Sequence, residues 1–472
     1  MVMDRKNFSE ESVMKYTDHG VENLKIAYIG GGSRGWAWKL MSDLAVAEDI
    51  SGQVDLYDID YEAAVHNEII GNKFNSVKGA KSTWTYNARR TIDEALCGAD
   101  FVVISILPGT FDEMESDVHA PEKYGIFQPV GDTTGPGGII RALRTVPMME
   151  VIAEAIKEHC PKAWVINYTN PMALCVKALY DTFPEIKAFG CCHEVFGAQK
   201  VIAKAIREAT GEEVADHRSI KTNVVGVNHF TWITDARYRD YDVNKIYADF
   251  VEKHYERGLE KKNPDSTFEC AHRVKFDLYR RYGAIAAAGD RHLAEFCEGS
   301  WYLKDDEQVH AWGFARTPVS YRKDDLKERL ARSERLRTGA EGVSIQETGE
   351  DGVRQIRALL GLGDFITNVN LPNRGQIPNL PLGLIVETNA TFRDDAVDPV
   401  LAGPVPEGVW QLVSRSADSQ LIMARAARER DLDLAFKAFV NDPLVGLDIP
   451  TARALFDEMV ENTKKYLLEY IR

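Results

Sequence analysis

The chain has 472 residues, of which 44% are hydrophobic and 27% charged, a composition typical of a globular enzyme with two domains. Its formal net charge of −15 argues against nucleic acids and anionic membranes as partners, because both attract positively charged proteins. The sequence shows no signal peptide and no membrane-spanning run, and its seven cysteines are scattered. We therefore expect reduced thiols and a cytoplasmic location.

The first predicted strand, residues 24–29, leads into a glycine-rich turn and then an apolar-periodic helix. This order is typical of a dinucleotide site, where the backbone approaches a pyrophosphate at a helix N-terminus. The turn matches G-x-G-x-x-G and supplies four candidate cofactor-binding residues, Gly30, Gly32, Ser33 and Gly35. A second predicted strand, residues 53–57, ends at Asp58, which is placed to bond the adenosine ribose and favours NAD over NADP.

Predicted strands continue to alternate with helical stretches, at residues 99–105, 164–168 and 186–191. This alternation predicts an α/β fold with a doubly wound parallel sheet. Ligands of such sheets bind beyond the carboxyl ends of the strands, where the glycine-rich turn, Asn170 and Cys192 would meet.

A polar glycine-rich loop at residues 130–138 contains Asp132 and precedes a helix that carries Arg141 and Arg144 on one face. Two interpretations are equally open from this segment alone. The loop either closes over a sugar or nicotinamide, or forms a surface turn beside two solvated arginines.

Beyond residue 200 the alternation fades. Residues 222–234 resemble one long strand carrying His229, and residues 320–337 a helix with a solvated charged face. Residues 371–387 form a proline-punctuated loop, and the last seventy residues are helical. We predict an N-terminal extension over 1–23, an NAD-binding domain over 24–200, and over 201–472 an α+β domain for substrate, metal and oligomer contacts.

Cys192 and His229 are candidate ligands of a divalent metal. Taken singly, each is more simply a buried core residue. The sequence has no C-x-x-C or H-E-x-x-H spacing, so a closed structural zinc site is not expected. Two protein ligands would leave positions open for substrate hydroxyls and water, as a catalytic metal requires.

The ordered motifs resemble glycoside hydrolase family 4, the NAD- and manganese-dependent glycosidases, from about residue 24 to the C-terminal helices. The motifs that carry the resemblance are the glycine-rich turn, the 130–138 loop, Thr169-Asn170-Pro171, Cys192-His193-Glu194-Val195, Val227-Asn228-His229 and the 371–387 loop. This family departs from the two-carboxylate mechanism of most glycosidases. The resemblance implies an N-terminal Rossmann-type sheet, similar to that of lactate and malate dehydrogenases, with a C-terminal α+β domain.

The resemblance also implies NAD(+) and Mn(2+) as cofactors and a redox route to hydrolysis. The sugar is oxidised at carbon 3, loses the proton at carbon 2, and expels the glycosidic oxygen from carbon 1. Water then adds, and the ketone is reduced again, so that NAD is regenerated in every turnover. The polarised ketone acidifies the proton that a base must remove.

The family motifs assign roles to individual residues by resemblance. Cys192 and His229 take the metal positions, and Asn170 bonds sugar hydroxyls beside the metal. Asp290 is the expected base, with Tyr282 in reserve because some members use a tyrosine; a helix cap is the structural alternative for Asp290. The remaining assignments are His193 as the group assisting departure of the leaving group, and Asp132, Glu194 and Arg291 as substrate contacts.

The residues that follow the metal cysteine resemble the α-galacturonidase group. A glutamate beside an acidic sugar is electrostatically unusual, so Glu194 either bonds hydroxyls or is protonated, while an arginine pairs the uronate. Arg291, Arg141 and Arg144 all qualify for that pairing. The expected substrate is therefore a small uronate glycoside, such as an oligogalacturonate.

Several other functions are compatible with parts of the sequence. Within the family these are an α-glucosidase, an α-galactosidase or an α-glucuronidase. Outside it, an NAD-dependent hydroxyacid dehydrogenase would explain the nucleotide site but not the Cys/His pair, and a nucleotide-sensing module would explain neither metal nor sugar. The resemblance also implies a homodimer or homotetramer.

Overall fold

The computed structural model describes residues 13–346 and 348–470. Its larger sheet has the strand order β13-β12-β11-β7-β6-β5-β2-β3-β4, with the short β1 paired to β2. The strands of this sheet are β1 (Lys15–Thr17), β2 (Gly20–Ile29), β3 (Ile50–Tyr57), β4 (Trp84–Arg89), β5 (Phe101–Ile104), β6 (Trp164–Asn167), β7 (Lys187–Gly190), β11 (Phe365–Pro372), β12 (Ile385–Arg393) and β13 (Ala396–Pro399).

Strands β2 to β7 run parallel, and their order is that of a dinucleotide-binding sheet with a switch point between β2 and β5. Their apolar residues are buried on both faces, as parallel strands covered by helices require. The predicted parallel sheet is confirmed, although β2 begins at Gly20, inside the segment predicted as an extension. Residues 1–12 of that segment lie outside the described part of the chain.

The helices that cover the N-terminal half are α1 (Trp36–Val46), α2 (Tyr61–Lys73), α3 (Ile92–Leu96), α4 (Phe111–His119), α5 (Gly135–His159), α6 (Met172–Thr182) and α7 (Glu194–Thr210). Four short 3₁₀ segments, Phe74–Ser76, Pro121–Tyr124, His217–Ser219 and Lys464–Tyr466, lie between longer elements. Apolar side chains of α5 and α6 pack with those of β5 and β6 in one continuous core.

The C-terminal half joins this sheet through three antiparallel strands. β11 pairs with β7 through Asn370 and Gly190, and β12 and β13 extend the edge. The division of the chain at residue 200 stays a prediction.

A second sheet carries part of the candidate site. It consists of β8 (Lys221–Val227), β9 (Phe230–Arg237) and β10 (Ile285–Ala286), all antiparallel. The prediction of one long strand over 222–234 is wrong, because the chain reverses at Asn228–His229. Residues 224–233 are buried without interruption across this turn, so the apolar pattern did not reveal it.

The remaining helices are α8 (Val243–His254), α9 (Arg273–Tyr282), α10 (Asp290–Glu295), α11 (Gly299–Tyr302), α12 (Asp306–Ala311), α13 (Val319–Thr338), α14 (Gly352–Leu359), α15 (Glu407–Glu429), α16 (Leu432–Val440) and α17 (Ile449–Asn462). The last three confirm the predicted helical C-terminus. Among the described residues, no helix has the length and apolar character needed to cross a membrane. All seven cysteines are free thiols.

Candidate active site

The turn between β2 and α1 is held against the neighbouring strands by its own backbone. The amides of Gly30 and Gly31 donate to the carbonyl oxygen of Tyr57 at 2.9 and 2.8 Å. Gly30 has a φ of +92°, and a Cβ there would lie 2.1 Å from the carbonyl oxygen of Ser105. This position therefore requires glycine, and the turn stays close to the switch point of the sheet.

Asp58 follows β3 and meets the same turn. Its Oδ2 accepts from the amide of Gly32 at 2.9 Å, and its Oδ1 accepts from the amide of Asp60 at 2.9 Å. Ser33 donates its amide to the carbonyl of Gly30, while Gly35 directly precedes α1. The five predicted cofactor-binding residues therefore lie together at the carboxyl end of the parallel strands, at the N-terminus of a helix.

A compact group of potential metal ligands lies beyond the carboxyl end of the parallel sheet. It consists of Asp132 in the loop before α5, His229 in the β8–β9 turn and His292 in α10, and their ligand atoms lie within 4.8 Å of one another. The two imidazole rings stack with centroids 4.4 Å apart and an interplanar angle of 23°. We call these three residues the Asp132 cluster.

The hydrogen bonds around His229 fix which of its nitrogens faces the cluster. The hydroxyl of Thr133 donates to Asp132 Oδ1 at 2.7 Å and lies 2.9 Å from His229 Nδ1. A hydroxyl that donates to a carboxylate accepts from the imidazole, so Nδ1 carries the proton and Nε2 keeps its lone pair. Burial and the neighbouring His292 lower the pKa of His229 to about 4, so the ring is neutral at pH 7.

His292 is oriented by Glu194, the first residue of α7. Its Nδ1 lies 3.2 Å from Glu194 Oε1, and Glu194 Oε2 accepts from the amide of Gly289 at 2.8 Å. Burial alone would raise the pKa of Glu194. The effect of the neighbouring His292 imidazole is larger and holds the pKa of this carboxyl well below its usual range. This direction favours the ionised form of Glu194 over the protonated alternative, because a positively charged His292 stabilises the carboxylate.

Cys192 follows β7 and lies outside the Asp132 cluster. Its carbonyl accepts from Asn368 Nδ2 at 3.1 Å. Burial, together with the negative charge of Glu387, raises the pKa of the Cys192 thiol well above its ordinary value. A metal that bound this sulfur would release its proton.

Sequence reasoning missed Glu387, a buried carboxylate on β12 that organises this region. It accepts from the hydroxyl of Thr231 at 2.7 Å, from Asn228 Nδ2 at 3.1 Å and from Asn368 Nδ2 at 2.6 Å. Asn368 is also the side chain that donates to the Cys192 carbonyl, and Asn228 directly precedes His229. A glutamate directly after the apolar residues 384–386 was the available signal, because an unpaired buried charge is costly.

Asn170 lies on the other side of the Asp132 cluster. Its Nδ2 donates to Asp132 Oδ2 at 3.1 Å, and Arg141 Nε donates to its backbone carbonyl at 3.1 Å. Among the described residues, the buried Oδ1 of Asn170 has no hydrogen-bond partner. This oxygen is free to accept from a ligand hydroxyl.

The 130–138 loop is a buried part of the site, so its interpretation as a surface turn is wrong. Glu295 holds the loop by accepting from the amides of Val130 and Gly131 at 2.6 and 3.0 Å. Asp442 accepts from the amide of Gly135 at 3.0 Å at the start of α5. Both carboxylates were missed, because their partners are more than 150 residues away in sequence.

The two predicted catalytic residues, Asp290 and His193, and the reserve base Tyr282 lie outside the Asp132 cluster. Asp290 is fully buried, and its carboxylate accepts from the amides of Val274 and Lys275 at the N-terminus of α9, at 3.3 and 3.1 Å. It matches the helix-cap alternative, although it caps α9 rather than its own helix. Tyr282 packs edge-on against Trp232, with ring centroids 6.1 Å apart.

The third, His193, is exposed on the nucleotide side of the site. Its ring centroid lies 6.1 Å from that of Trp36, the first residue of α1, and its Nδ1 lies 3.9 Å from Glu350 Oε1. The roles of Asp290, Tyr282 and His193 stay predictions.

Arg144 is not available to a substrate. It makes a fully buried, two-pronged ion pair with Asp117 and donates through Nε to the carbonyl of Pro108 at 2.9 Å. Because Asp117 neutralises the charge of Arg144, this arginine is not available to a uronate, and that candidate assignment is wrong. Arg291 lies directly beside His292, and Arg141 beside Asn170.

Comparison with known proteins matches this fold and sequence over nearly the whole chain. Residues 25–208 match the model of family 4 glycosyl hydrolases, and residues 224–445 match the model of the family 4 glycosyl hydrolase C-terminal domain. An alpha-galacturonidase of Thermoanaerobacterium saccharolyticum is 62% identical over 96% of this chain and 98% of its own.

Two solved structures share the fold. The crystal structure of lplD from Bacillus subtilis is 52% identical, with a TM-score of 0.89 over 93% of this chain and 100% of its own. The 6-phospho-beta glucosidase from Thermotoga maritima, solved with manganese, NAD+ and glucose-6-phosphate, is 23% identical, with a TM-score of 0.73 over 94% and 99% of the two chains. Since family models span both halves and a relative is 62% identical, this chain belongs to family 4 of the glycosyl hydrolases.

Proposed function

We propose that this protein is an α-galacturonidase that hydrolyses small α-galacturonides, such as oligogalacturonates, by the NAD- and metal-dependent redox route. The observation that carries the proposal is the 62% identity to an enzyme named alpha-galacturonidase over almost the full length of both chains. The Asp132 cluster beside the glycine-rich turn supports it, because the reaction needs a nucleotide and a divalent metal at one place.

The residues around the glycine-rich turn fit NAD. The N-terminus of α1 offers unpaired amides and a partial positive charge to a pyrophosphate. Asp58 keeps its carboxylate at the end of β3, where burial raises its pKa while the Gly32 and Asp60 amides oppose that rise. A carboxylate there accepts from ribose hydroxyls and disfavours a 2′-phosphate.

The donor set beside it fits a divalent ion such as Mn²⁺. His229 and His292 direct their Nδ1 atoms at Thr133 and Glu194, so Nε2 is the nitrogen that each offers to an ion, and binding would release any proton that His292 carries there. Asp132 adds a carboxylate, and the predicted ligand Cys192, which lies outside the cluster, would add a thiolate once deprotonated. Mixed N, O and S donors with room for substrate oxygens suit an open catalytic site.

In the proposed reaction the chain positions and polarises the sugar. Asn170 Oδ1 accepts from a sugar hydroxyl beside the Asp132 cluster, and Glu194 keeps His292 in one tautomer. When bound, NAD accepts and returns the hydride, and the metal ion supplies Lewis-acid polarisation of the ketone. The buried surroundings of the 130–138 loop exclude water from these steps.

The test uses reduced protein, digalacturonate, and D₂O, with and without NAD⁺ and Mn²⁺. Released galacturonate and NADH absorbance are followed together. The proposal expects catalytic NAD⁺, a requirement for the metal, and deuterium at carbon 2 of the product. NADH accumulating in proportion to product would instead indicate a hydroxyacid dehydrogenase.

A panel of aryl α-glycosides tests the sugar. Galacturonide is expected to be hydrolysed far faster than galactoside, glucoside or glucuronide. Activity on another member of the panel, with none on galacturonide, would retain the reaction and overturn the substrate.

The proposal includes a homodimer or homotetramer in the cytoplasm. The seven free thiols support a reducing compartment. Sedimentation velocity of the purified protein tests the assembly, and a monomer at micromolar concentration would contradict it.

A further inference from the structure

Two arginines converge on one aromatic ring at the edge of the Asp132 cluster. Arg291 precedes His292 in α10, and Arg322 lies in the first turns of α13. Their guanidinium carbons lie 5.1 and 5.9 Å from the ring centroid of Phe268, which is 48% exposed. Helix α13, whose charged face was predicted from sequence to be solvated, therefore places one cation, Arg322, at the edge of the site.

Neither guanidinium is neutralised by a direct carboxylate partner. Arg291 is 9% exposed and donates through one terminal nitrogen to the carbonyl of Pro129 at 3.0 Å, while its buried Nε has no partner among the described residues. Arg322 has no hydrogen bond or ion pair with any residue that the structure describes.

Nearby cations behave differently. Lys323, the next residue on α13, bridges Asp112 and Glu115, and Arg316 binds Glu122 and Asp306. The neighbouring long cations on this surface therefore find carboxylates. Arg141, in α5, is a further buried arginine without an ion pair among the described residues, but its Nε donates to the Asn170 carbonyl.

Charge repulsion makes the arrangement costly without an anion. Burial and the neighbouring Arg322 lower the pKa of Arg291, opposed by Glu295, Glu194 and Asp132, and burial likewise lowers the pKa of Arg322, opposed by Asp132 and Asp325. Asp132 acts on both arginines, but its oxygens accept from Thr133 and Asn170. Like charges held together in a partly dry site gain most from a bound anion.

We propose that Arg291 and Arg322 form the binding site for the carboxylate at carbon 6 of the galacturonyl group, with Phe268 as its wall. The inference rests on the proposed function, whose substrate it deepens by naming the residues that select an acidic sugar. A guanidinium is a planar fork that matches a carboxylate with two parallel hydrogen bonds, which a lysine cannot reproduce.

This site would also explain rejection of neutral sugars. A galactoside carries a hydroxymethyl group at carbon 6, which would leave both buried cations without an anion. Leaving such groups unpaired is the strongest source of discrimination available to a binding site. The two arginines also explain how a glutamate can lie beside an acidic sugar. His292 pairs with Glu194, and the arginines face the uronate carboxylate.

The test compares wild type, Arg322→Gln, Arg322→Lys and Arg291→Gln on 4-nitrophenyl α-galacturonide and α-galactoside. Arg322→Gln is expected to lower kcat/KM for the galacturonide about 100-fold, chiefly through KM, while changing the galactoside value less than about threefold. Arg322→Lys should recover only part of the loss, since it keeps the charge but not the fork. Arg337→Gln, on the same helix and paired with Glu334, is the matched control.

The outcomes separate this inference from the proposed function. If the wild type does not hydrolyse the galacturonide, the proposed function fails first. If it does, but Arg322→Gln stays within threefold of it, the inference is overturned. Equal losses on both substrates would also overturn it, because they would place Arg322 on a group common to both sugars.

Binding measurements keep the test independent of turnover. Calorimetry should show galacturonate binding to the wild type and at least tenfold weaker binding to Arg322→Gln, with a far-UV spectrum and melting temperature like those of Arg337→Gln. Tighter binding of galactose 6-phosphate than of galacturonate would overturn the choice of a carboxylate. If Arg322→Gln does not fold, Arg322→Lys carries the same comparison.

Discussion

His292 Nδ1 lies 3.2 Å from Glu194 Oε1, and this pair sets the orientation of the Asp132 cluster. The carboxylate holds a proton on Nδ1, so Nε2 is the nitrogen of His292 that a metal ion would use, with release of any proton bound there. Carboxylate–imidazole pairs of this kind orient metal ligands in many proteins. The relationship links the first turn of α7 to α10, across 98 residues of sequence.

Replacing Glu194 with glutamine is expected to weaken Mn²⁺ binding to the free enzyme by about 10- to 100-fold. The amide can serve the Gly289 amide or His292, but not both, so one partner is left mismatched. Electron paramagnetic resonance of free Mn²⁺ measures the affinity without substrate. Glu334→Gln, a surface pair on α13, is the control, and unchanged affinity in Glu194→Gln would remove this role.

Cys192→Ser is expected to reduce glycosidase activity by at least about 100-fold and to weaken Mn²⁺ binding while sparing NAD binding. A hydroxyl is a much poorer metal ligand than a thiolate, whereas the glycine-rich turn contains none of these atoms. NAD binding is measured by calorimetry. The exposed Cys97→Ser is the control, and loss of NAD binding in Cys192→Ser would contradict the placement of the metal.

Gly32→Ala should weaken NAD binding by about tenfold or more. A Cβ at this position would lie 2.6 Å from Ala63 Cβ and 2.8 Å from Asp58 Oδ2, so the turn and the ribose contact must shift. Gly197→Ala is a matched control, because that glycine lies within α7 with open space around it and should gain roughly 0.5–1 kcal/mol of stability. Equal NAD affinity in the two variants would be evidence against the predicted cofactor site.

The parallel half of the fold was predictable because its signals are local. Apolar strands, a glycine-rich turn and an acid after β3 each lie within a few residues of one another. The β8–β9 turn was not predictable by the same means, since an unbroken buried stretch runs through Val227 and Phe230 without glycine or proline between them. Only the sheet register distinguishes a reversal from a continuous strand.

The residues of the candidate site likewise divide into those that local motifs predict and those that they do not. Cys192, His229 and Asn170 could be selected from motifs, but His292 lay unassigned in a segment already singled out. Glu387 and Arg322 depend on contacts between distant parts of the chain. Within a highly charged helix, the sequence does not show which charged residue faces the interior of the protein. Long-range packing decides this, and it is the part that a single sequence does not contain.

The last prediction concerns stability in metal-free protein. Burial raises the pKa of Glu295 from an ordinary value of 4.5 to about 7, although the amides of Val130 and Gly131 oppose the rise. A carboxyl group with a raised folded pKa binds more protons in the folded than in the unfolded state between those two values. The free energy of unfolding therefore falls as the pH rises from about 4.5 to about 7.

Glu295→Gln should remove about 1–3 kcal/mol of that decline, because the amide does not ionise. Its oxygen can still accept from both amides, which in the wild type donate mainly to Oε1. Urea unfolding of both proteins at several pH values between 4.5 and 8, in the presence of a chelator, measures the difference. If the two curves run parallel, Glu295 is already ionised in the folded protein, and the loop that carries Asp132 is held by a carboxylate rather than by a carboxylic acid.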